Sequence, residues 1–427
     1  MRPEARRALL AGSVGNFIEW YEFGAYGYMA TVIAANFFGG DGTTGGAEGL
    51  IRTYASFALA FFFRPVGAAL FGRVGDRLGR RPALVLALAL MTGATTLIGL
   101  LPTYATLGAA APWLLTGARV LQGLSAGGEF GGAVSLLTEN APPGRRGLYG
   151  AWQSCTVALG LLAGAGLAAA LAAVLGPDAL TTWGWRVPFL LALPLGAVAL
   201  WSRLTLEESP EFRRIATAGP AADGVPEELP RPLRAVAIGI GIGRIMGWAA
   251  AGYTFLVVLP AYLQHTVGTT FQQALTATAL ANLGFAAAVL PAGALSDRVG
   301  RRPVMAAGAA LVVLLAFPLL TLLQSATAPT AAKAAALLLA GAAVGAMAGP
   351  GPAMLAEMFP SRVRCTGLGL SYALANAVFS GCAGLIVTEL VERTGNTGIP
   401  AYYAAVTCAI SAVALLAPGG GGAPARG

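Results

Sequence analysis

Two stretches of this 427-residue chain set ionisable side chains inside long apolar runs. In GNFIEWYEFGAYGY, which begins at Gly15, residues Asn16, Glu19, Glu22 and Tyr26 fall within about a third of a helix circumference at about 100° per residue, so they share a face. In RVLQGLSAGGEFGG, residues Arg119, Gln122, Ala126 and Glu129 line one side in the same way, and a third run contributes Arg244. On insertion scales a charge at the centre of a membrane helix costs about 2.5 to 3.5 kcal/mol. Five of them (Glu19, Glu22, Arg119, Glu129 and Arg244) together cost about as much as the whole stability of a domain, roughly 5 to 15 kcal/mol. They need partners or a wet cavity, and function is the default reading of such residues. A carboxyl group that carries protons must be buried and must lose its cationic partner during a cycle. Glu22 and Glu129, each near an arginine in the pattern, are the candidates, with Arg119 coupled to them. The planar fork of Arg244 suits a carboxylate ligand, and Asn16, Glu19, Tyr26 and Gln122 supply polar groups beside it. The competing reading is structural: Arg119 with Glu129, or Arg244 with a helix 1 glutamate, as an ion pair that orients helices.

Other chemistries find no footing. His265, the one histidine, falls in a predicted loop, which argues against a histidine-based metal site, and neither HExxH nor a nucleophile elbow occurs. GIGIGRIMG from Gly239 fails the spacing of a dinucleotide loop and follows no strand. No cofactor, metal or enzymatic activity is expected. Cys155, Cys365, Cys382 and Cys408 fall in or at the ends of apolar stretches and read as small packing residues, not as disulfides.

The elements that must position these residues are membrane helices. The chain is 56% hydrophobic and 11% charged, against about 25% charged in soluble domains. Twelve stretches of spanning length lie between residues 12 and 417, the first read as an uncleaved span. Most of the 27 Lys and Arg residues fall in loops on one side, while the other side keeps only Arg52, Lys333 and Arg393. That asymmetry predicts both termini in the cytoplasm. The net charge of +8 then describes loop placement, not a nucleic-acid partner. Glycines 123, 127 and 131 form a GxxxG series that predicts close helix packing, and Trp183, Trp185 and Trp201 read as interface anchors.

The chain also repeats itself. GRVGDRLGRRP from Gly72 returns as GALSDRVGRRP from Gly293, 221 residues later, and TENAPPGRRGLYG from Thr138 is echoed by AEMFPSRVRCTGLG, which pairs Glu139 with Glu357. The longest polar interruption, rich in Pro and charge, separates the copies. These features predict an all-α membrane protein of twelve transmembrane helices in two pseudo-symmetric six-helix bundles. The first bundle is residues 1–206, a cytoplasmic linker is 207–234, and the second bundle is 235–427. In each loop an Asp is placed to accept hydrogen bonds at a neighbouring helix N-terminus, where a carboxylate gains roughly 0.3 to 1 kcal/mol. Asp76 and Asp297, with Arg80, Arg146, Arg301, Glu139 and Glu357, form the predicted gate, a latch weak enough to break every cycle. Plain positive-inside loop chemistry explains the arginines but not the repeated Gly, Asp and Gly.

The duplicated GxxxDRxGRR loop and the RxxQG of Arg119, Gln122 and Gly123 resemble the major facilitator superfamily. Within it, GNFIEWYEFGAYGY, RVLQGLSAGGEFGGA, ENAPPGRRGLYGAWQ, WGWRVPFLL and LEESPEF resemble the metabolite:proton symporter family, as do SDRVGRRP and EMFPSRVRCTGLGLSY in the second half. The resemblance implies a major facilitator fold, alternating access, and proton-coupled uptake through a bacterial inner membrane by a monomer, with Arg119 helping to couple protons to substrate. Family members handle organic acids or zwitterionic osmolytes. Two departures matter: Glu22 stands where the family usually has Asp, and after Tyr372 comes Ala373, with Asn376 the nearest amide for a substrate contact from helix 11. The chain stops after APGGGGAPARG, where the osmosensory branch tends to carry a long coiled-coil tail, and this favours symport of a small organic acid over that of a betaine or proline. Efflux by antiport is less favoured, since GLLAGAGLAAAL lacks the helix 5 Gly-Pro element of efflux members.

Overall fold

The computed structural model describes residues 3–39, 47–205 and 231–417. The linker expected at 207–234 falls largely outside the described residues, as does the C-terminal tail. Among the described residues every regular element is helical, and twelve helical spans follow one another: α1 (Pro3–Tyr28), α2 (Ala47–Arg77), α3 (Arg80–Leu100), α4 (Ala110–Glu139), α5 (Arg146–Val174), α6 (Gly184–Leu204), α7 (Arg234–Val267), α8 (Phe271–Val299), α9 (Arg301–Gln324), α10 (Thr330–Glu357), α11 (Arg364–Thr394) and α12 (Ile399–Leu416). Ten of them are apolar and long enough to cross a membrane by composition alone. The other two, α1 and α4, have the length and carry Glu19, Glu22, Arg119 and Glu129. Large apolar side chains such as Leu100, Leu314 and Val413 are exposed on the outside of the bundle. A lipid-facing surface has this character, since the backbone polar groups are satisfied within each helix.

The repeated loop is a backbone requirement as well as a charge pattern. Gly79 and Gly300, between α2 and α3 and between α8 and α9, have φ of 115° and 105°, in the region where a Cβ is strained. The polar turn between each helix pair therefore depends on the repeated glycine. The GxxxG series on α4 also packs as expected. A Cβ on Gly123 would lie 1.8 Å from the Ala60 carbonyl oxygen, and one on Gly127 2.0 Å from that of Arg64, so α2 lies directly on α4. In the second half Gly341 and Gly345 on α10 meet the carbonyl oxygens of Ala281 and Phe285 on α8 in the same way. The match is residue for residue: Ala60 and Arg64 stand to Ala281 and Phe285 at the same 221-residue spacing as the two loops.

Helices α2 and α11 pack along each other, as do α5 and α8, so the two halves meet along two long seams. Between the seams α7 departs from α-helical geometry over two π-helical turns, Thr254–Val258 and Leu263–Val267, and α11 over one, Asn376–Gly381. Such single turns leave backbone carbonyls without their usual partner and occur often at functional sites.

Candidate functional site

The buried polar residues of the first half form a chain rather than a face. Arg119 Nη1 donates to Gln122 Oε1 at 2.5 Å, Gln122 Nε2 donates to Thr95 Oγ1 at 2.5 Å, and Thr95 Oγ1 donates to Glu22 Oε2 at 2.5 Å. All four side chains are fully buried. Glu22 has no cation within salt-bridge distance, and its Oε1 has no hydrogen-bond partner. Arg119 keeps Nε and Nη2 unpartnered and lies 4.1 Å from the Tyr26 ring centroid, 4.7 Å from Phe57 and 5.0 Å from Phe23, where cation–π attraction replaces part of its lost hydration. Tyr26 in turn shares a 2.7 Å hydrogen bond with Ser56. Arg119 and Gln122 arrive together because they are one turn apart on α4. Thr95 from α3 is the link that joins them to α1, and one of three threonines (Thr92, Thr95 and Thr96) in an apolar helix gave no sequence signal.

Glu129 does not pair with Arg119, as the sequence pattern allowed. It forms a bidentate ion pair with Arg203 of α6, whose Nη1 also donates to the Leu84 carbonyl at 2.7 Å. Sequence reading places Arg203 among the loop arginines; in the structure it is wholly buried. The site exists because residue 15 is glycine: a Cβ there would lie 1.7 Å from Arg203 Nη2. Asn16 is occupied in fastening α1 to α5, donating to the Gln153 carbonyl at 2.9 Å and to Thr156 Oγ1 at 2.7 Å. Glu19 lines a small space with Gly15, Leu88, Met91, Ser125 and Glu129.

A central cavity lies between the halves. Trp20 of α1 and Ser154, Val157 and Leu161 of α5 form one wall. Trp248, Gly252, Tyr253 and Leu256 of α7, with Phe285 of α8 and Tyr372, Asn376 and Ser380 of α11, form the other. Its atom-free space is about 430 Å³, including the part open at its mouth. No charged side chain is among the lining residues, and five of them are aromatic. Tyr372 stacks on Phe130 at 3.5 Å between centroids and packs against Trp248 at 5.7 Å. Asn376 accepts from Ser380 Oγ at 2.8 Å and donates to the Tyr372 carbonyl. Of the residues expected to bind a ligand, Asn376 alone lines this space. Asn16, Glu19, Tyr26 and Gln122 lie behind it in the first half. Arg244 lies off the cavity on α7, with Nε 3.5 Å from the Ala414 carbonyl and Nη1 3.8 Å from Met358 Sδ.

At the end of the bundle that carries the repeated loops, the halves are joined by two matched caps. Asp297 of α8 accepts from the Gly147 and Leu148 N–H groups at the start of α5, at 2.8 and 2.9 Å. Asp76 of α2 accepts from Thr366 N and Oγ1 at the start of α11, at 3.1 and 2.6 Å. Arg301 holds Asp297 at 2.7 Å and Glu357 at 3.0 Å. Arg80 reaches Asp76 at 3.6 Å and Glu139 at 3.2 Å, and Glu139 also pairs with Arg364 of the other half at 3.1 Å. Arg146 is the exception among the residues expected at the gate: exposed at the first position of α5, it does not pair with Asp76. At the opposite end Tyr28 Oη donates to the Leu256 carbonyl at 3.1 Å, and Asn282 Nδ2 donates to Tyr28 Oη at 3.3 Å. Contacts between the halves are thus present at both ends of the bundle. Of the three tryptophans expected at the interface, Trp183 and Trp201 are exposed, whereas Trp185 is buried against Phe37 and Phe189, with Arg186 over its ring at 4.4 Å.

Comparison with known proteins agrees with this architecture. The Sugar (and other) transporter family matches residues 8–229, and the Major Facilitator Superfamily matches residues 242–421. The chain is 35% identical to the ectoine/proline transporter ProP of Corynebacterium glutamicum, over 97% of this chain and 84% of that one. It is 36% identical to the alpha-ketoglutarate permease of Escherichia coli, over 90% and 87%, and 36% identical to the citrate-proton symporter of Klebsiella pneumoniae, over 96% and 91%. Its fold resembles that of the xylose transporter XylE from E. coli in a partially occluded inward-open conformation, with a TM-score of 0.74 at 18% identity over 96% of each chain. The chain belongs to the major facilitator superfamily, in its metabolite:proton symporter family.

Proposed function

We propose that this membrane protein couples the inward movement of a proton to the uptake of a small organic acid by alternating access, with both termini and the latch on the cytoplasmic side. The observation that carries the reading is the juxtaposition of a cavity between the halves with the buried chain from Arg119 to Glu22. A buried carboxyl group with no ion partner is costly to keep charged, and Glu22 is therefore the group we assign to carry the proton. Thr95 and Gln122 link its state to Arg119. The latch residues Asp76, Arg80, Glu139, Asp297, Arg301 and Glu357 gate the cytoplasmic side. Relatives named for citrate, alpha-ketoglutarate, proline and ectoine support a small carboxylate-bearing solute. One observation favours a second reading within that class: the aromatic wall of Trp20, Trp248, Tyr253, Phe285 and Tyr372, without a charged lining residue, suits the cationic end of a zwitterion such as a betaine or proline. Monomeric function is the simplest form of this proposal.

The experiment is uptake of radiolabelled carboxylates and betaines into proteoliposomes under an imposed inward proton gradient. Symport requires at least one solute to accumulate in wild type and to stop accumulating when the gradient is collapsed. A Glu22→Gln variant is expected to exchange that solute across the membrane at equilibrium without concentrating it. Gradient-driven accumulation by Glu22→Gln at the wild-type level would remove Glu22 from the proton path.

A further inference from the structure

We propose that Arg64, on α2 beneath the aromatic wall, binds the carboxylate of the transported solute, with Tyr253 as its neighbouring hydroxyl. This rests on the transport reading above and adds the site that recognises the carboxylate.

Arg64 is 1% exposed and forms no ion pair in the structure; Nε and Nη2 are buried without a well-formed hydrogen bond, and the Tyr253 hydroxyl is the polar group within reach of the guanidinium. Its guanidinium is packed among rings: Cζ lies 3.9 Å from the Phe61 centroid, 4.3 Å from Phe23 and 5.8 Å from Trp20. A guanidinium has five N–H donors, and leaving them unmet in a dry interior is expensive. Stacking on aromatic faces offsets only part of that cost. The site therefore lacks an anionic partner, and planar donors of this kind match a carboxylate.

The missing partner belongs on the cavity side. Trp20 and Tyr253 both line the cavity, and Tyr253 packs on Phe61 at 5.2 Å, against the ring that carries Arg64. The Tyr253 hydroxyl is itself buried, with the Arg64 guanidinium as its polar neighbour and no well-formed hydrogen bond to any other group. The internal repeat gives independent support. Arg64 and Phe285 occupy equivalent positions at the 221-residue spacing, each with its backbone carbonyl against a glycine of the matched series, Gly127 or Gly345. Phe285 lines the cavity from the second half. Arg64 thus occupies the position of the first half whose counterpart faces the solute. Glu19 lies within electrostatic range of Arg64 but forms no salt bridge with it, so no carboxylate of the protein closes on the guanidinium.

The same assignment serves an organic acid or a zwitterion, since both present a carboxylate. It is tested in proteoliposomes by equilibrium exchange, which needs no gradient, with wild type, Arg64→Gln and Arg64→Lys. The probes are 2-oxoglutarate, citrate, proline and glycine betaine, each set against its methyl ester as competitor. Wild type is expected to be inhibited by the acids at concentrations about tenfold or more below those of the esters, the loss expected for a charge-assisted contact. Arg64→Gln is expected to raise KM for the acid by about tenfold or more and to abolish the preference over the ester. Arg64→Lys, a point charge without the planar fork, is expected to fall between. An unchanged KM and an unchanged acid-to-ester preference in Arg64→Gln would overturn the assignment. If Arg64→Gln does not insert, the Lys variant decides: wild-type KM and preference in Arg64→Lys count against the planar contact. Failure of wild type to exchange any of the four solutes would count against the transport reading itself and is thereby distinguishable.

Discussion

The intramembrane charges divide into two kinds by what touches them. Glu129 is committed to Arg203 in a bidentate pair fitted around Gly15, whereas Glu22 touches a threonine and has no counter-ion. Replacing one partner of a buried pair leaves the other charge stranded, at a cost of about 3 to 5 kcal/mol. Glu129→Gln is accordingly expected to lower thermal stability and the yield of folded protein, read by a fluorescence-based melting assay, before it alters coupling. A Glu129→Gln protein that melts as wild type and merely loses gradient-driven uptake would return Glu129 to the proton path. Thr95 makes a second case. Thr95→Val keeps shape but leaves Gln122 and Glu22 each without a bond, which costs about 1 to 3 kcal/mol per stranded group. Initial uptake rates are expected to fall by about tenfold or more, and Thr95→Ser to restore them; equal rates in Val and Ser would mean the chain is only structural.

At the scale of helices, much was legible because duplication and glycine spacing leave a mark in one dimension. The loops from Gly72 and Gly293 marked the capping aspartates before any coordinate, and Gly123, Gly127 and Gly131 marked a closely packed face of α4, of which Gly123 and Gly127 meet α2 and Gly131 meets the Cys365 carbonyl of α11. What was not legible depended on contacts between distant helices. Arg203 looked like a loop arginine because it stands near the end of α6; only the approach of Gly15 on α1 makes room for it inside. Arg244 shares a helix with the cavity residues, but its position on α7 aims it at Met358 and the end of α12, which periodicity alone does not resolve. Thr95 carries no signal by itself. The glycine series yields a matched prediction. Gly123→Ala and Gly341→Ala each push a Cβ to 1.8 Å from a facing backbone carbonyl, Ala60 and Ala281 respectively. Overpacking of this kind costs about 1 to 3 kcal/mol or more, because backbone must move. Both variants should lose comparable thermal stability, and a Gly341→Ala protein as stable as wild type would show that α8 and α10 are free to separate where α2 and α4 are not.

For the whole molecule, the two caps make the closed end symmetric: Asp76 holds the start of α11 as Asp297 holds the start of α5, and each carboxylate crosses from one half to the other. Rocking of the halves must break both together, since each seam fixes the relative tilt. Removing the Asp297 side chain deletes two charge-assisted bonds of 2.8 and 2.9 Å, each worth about 1.5 to 3 kcal/mol. About 1.4 kcal/mol already shifts a two-state population tenfold. Asp297→Ala should therefore favour the state open at the latch end, even though Asp76 remains. Cys365 provides the reporter: it is 1% exposed, one residue before Thr366, and packed with its Sγ 3.3 Å from Ser135 Oγ across the seam between α11 and α4. In a background where Cys155, Cys382 and Cys408 are replaced by alanine, maleimide labelling of Cys365 should be slow with Asp297 present and about tenfold faster in Asp297→Ala. Equal labelling rates, with the protein folded and inserted, would mean that the two caps do not act as one latch, and that opening at the α2–α11 seam proceeds independently of the seam between α5 and α8.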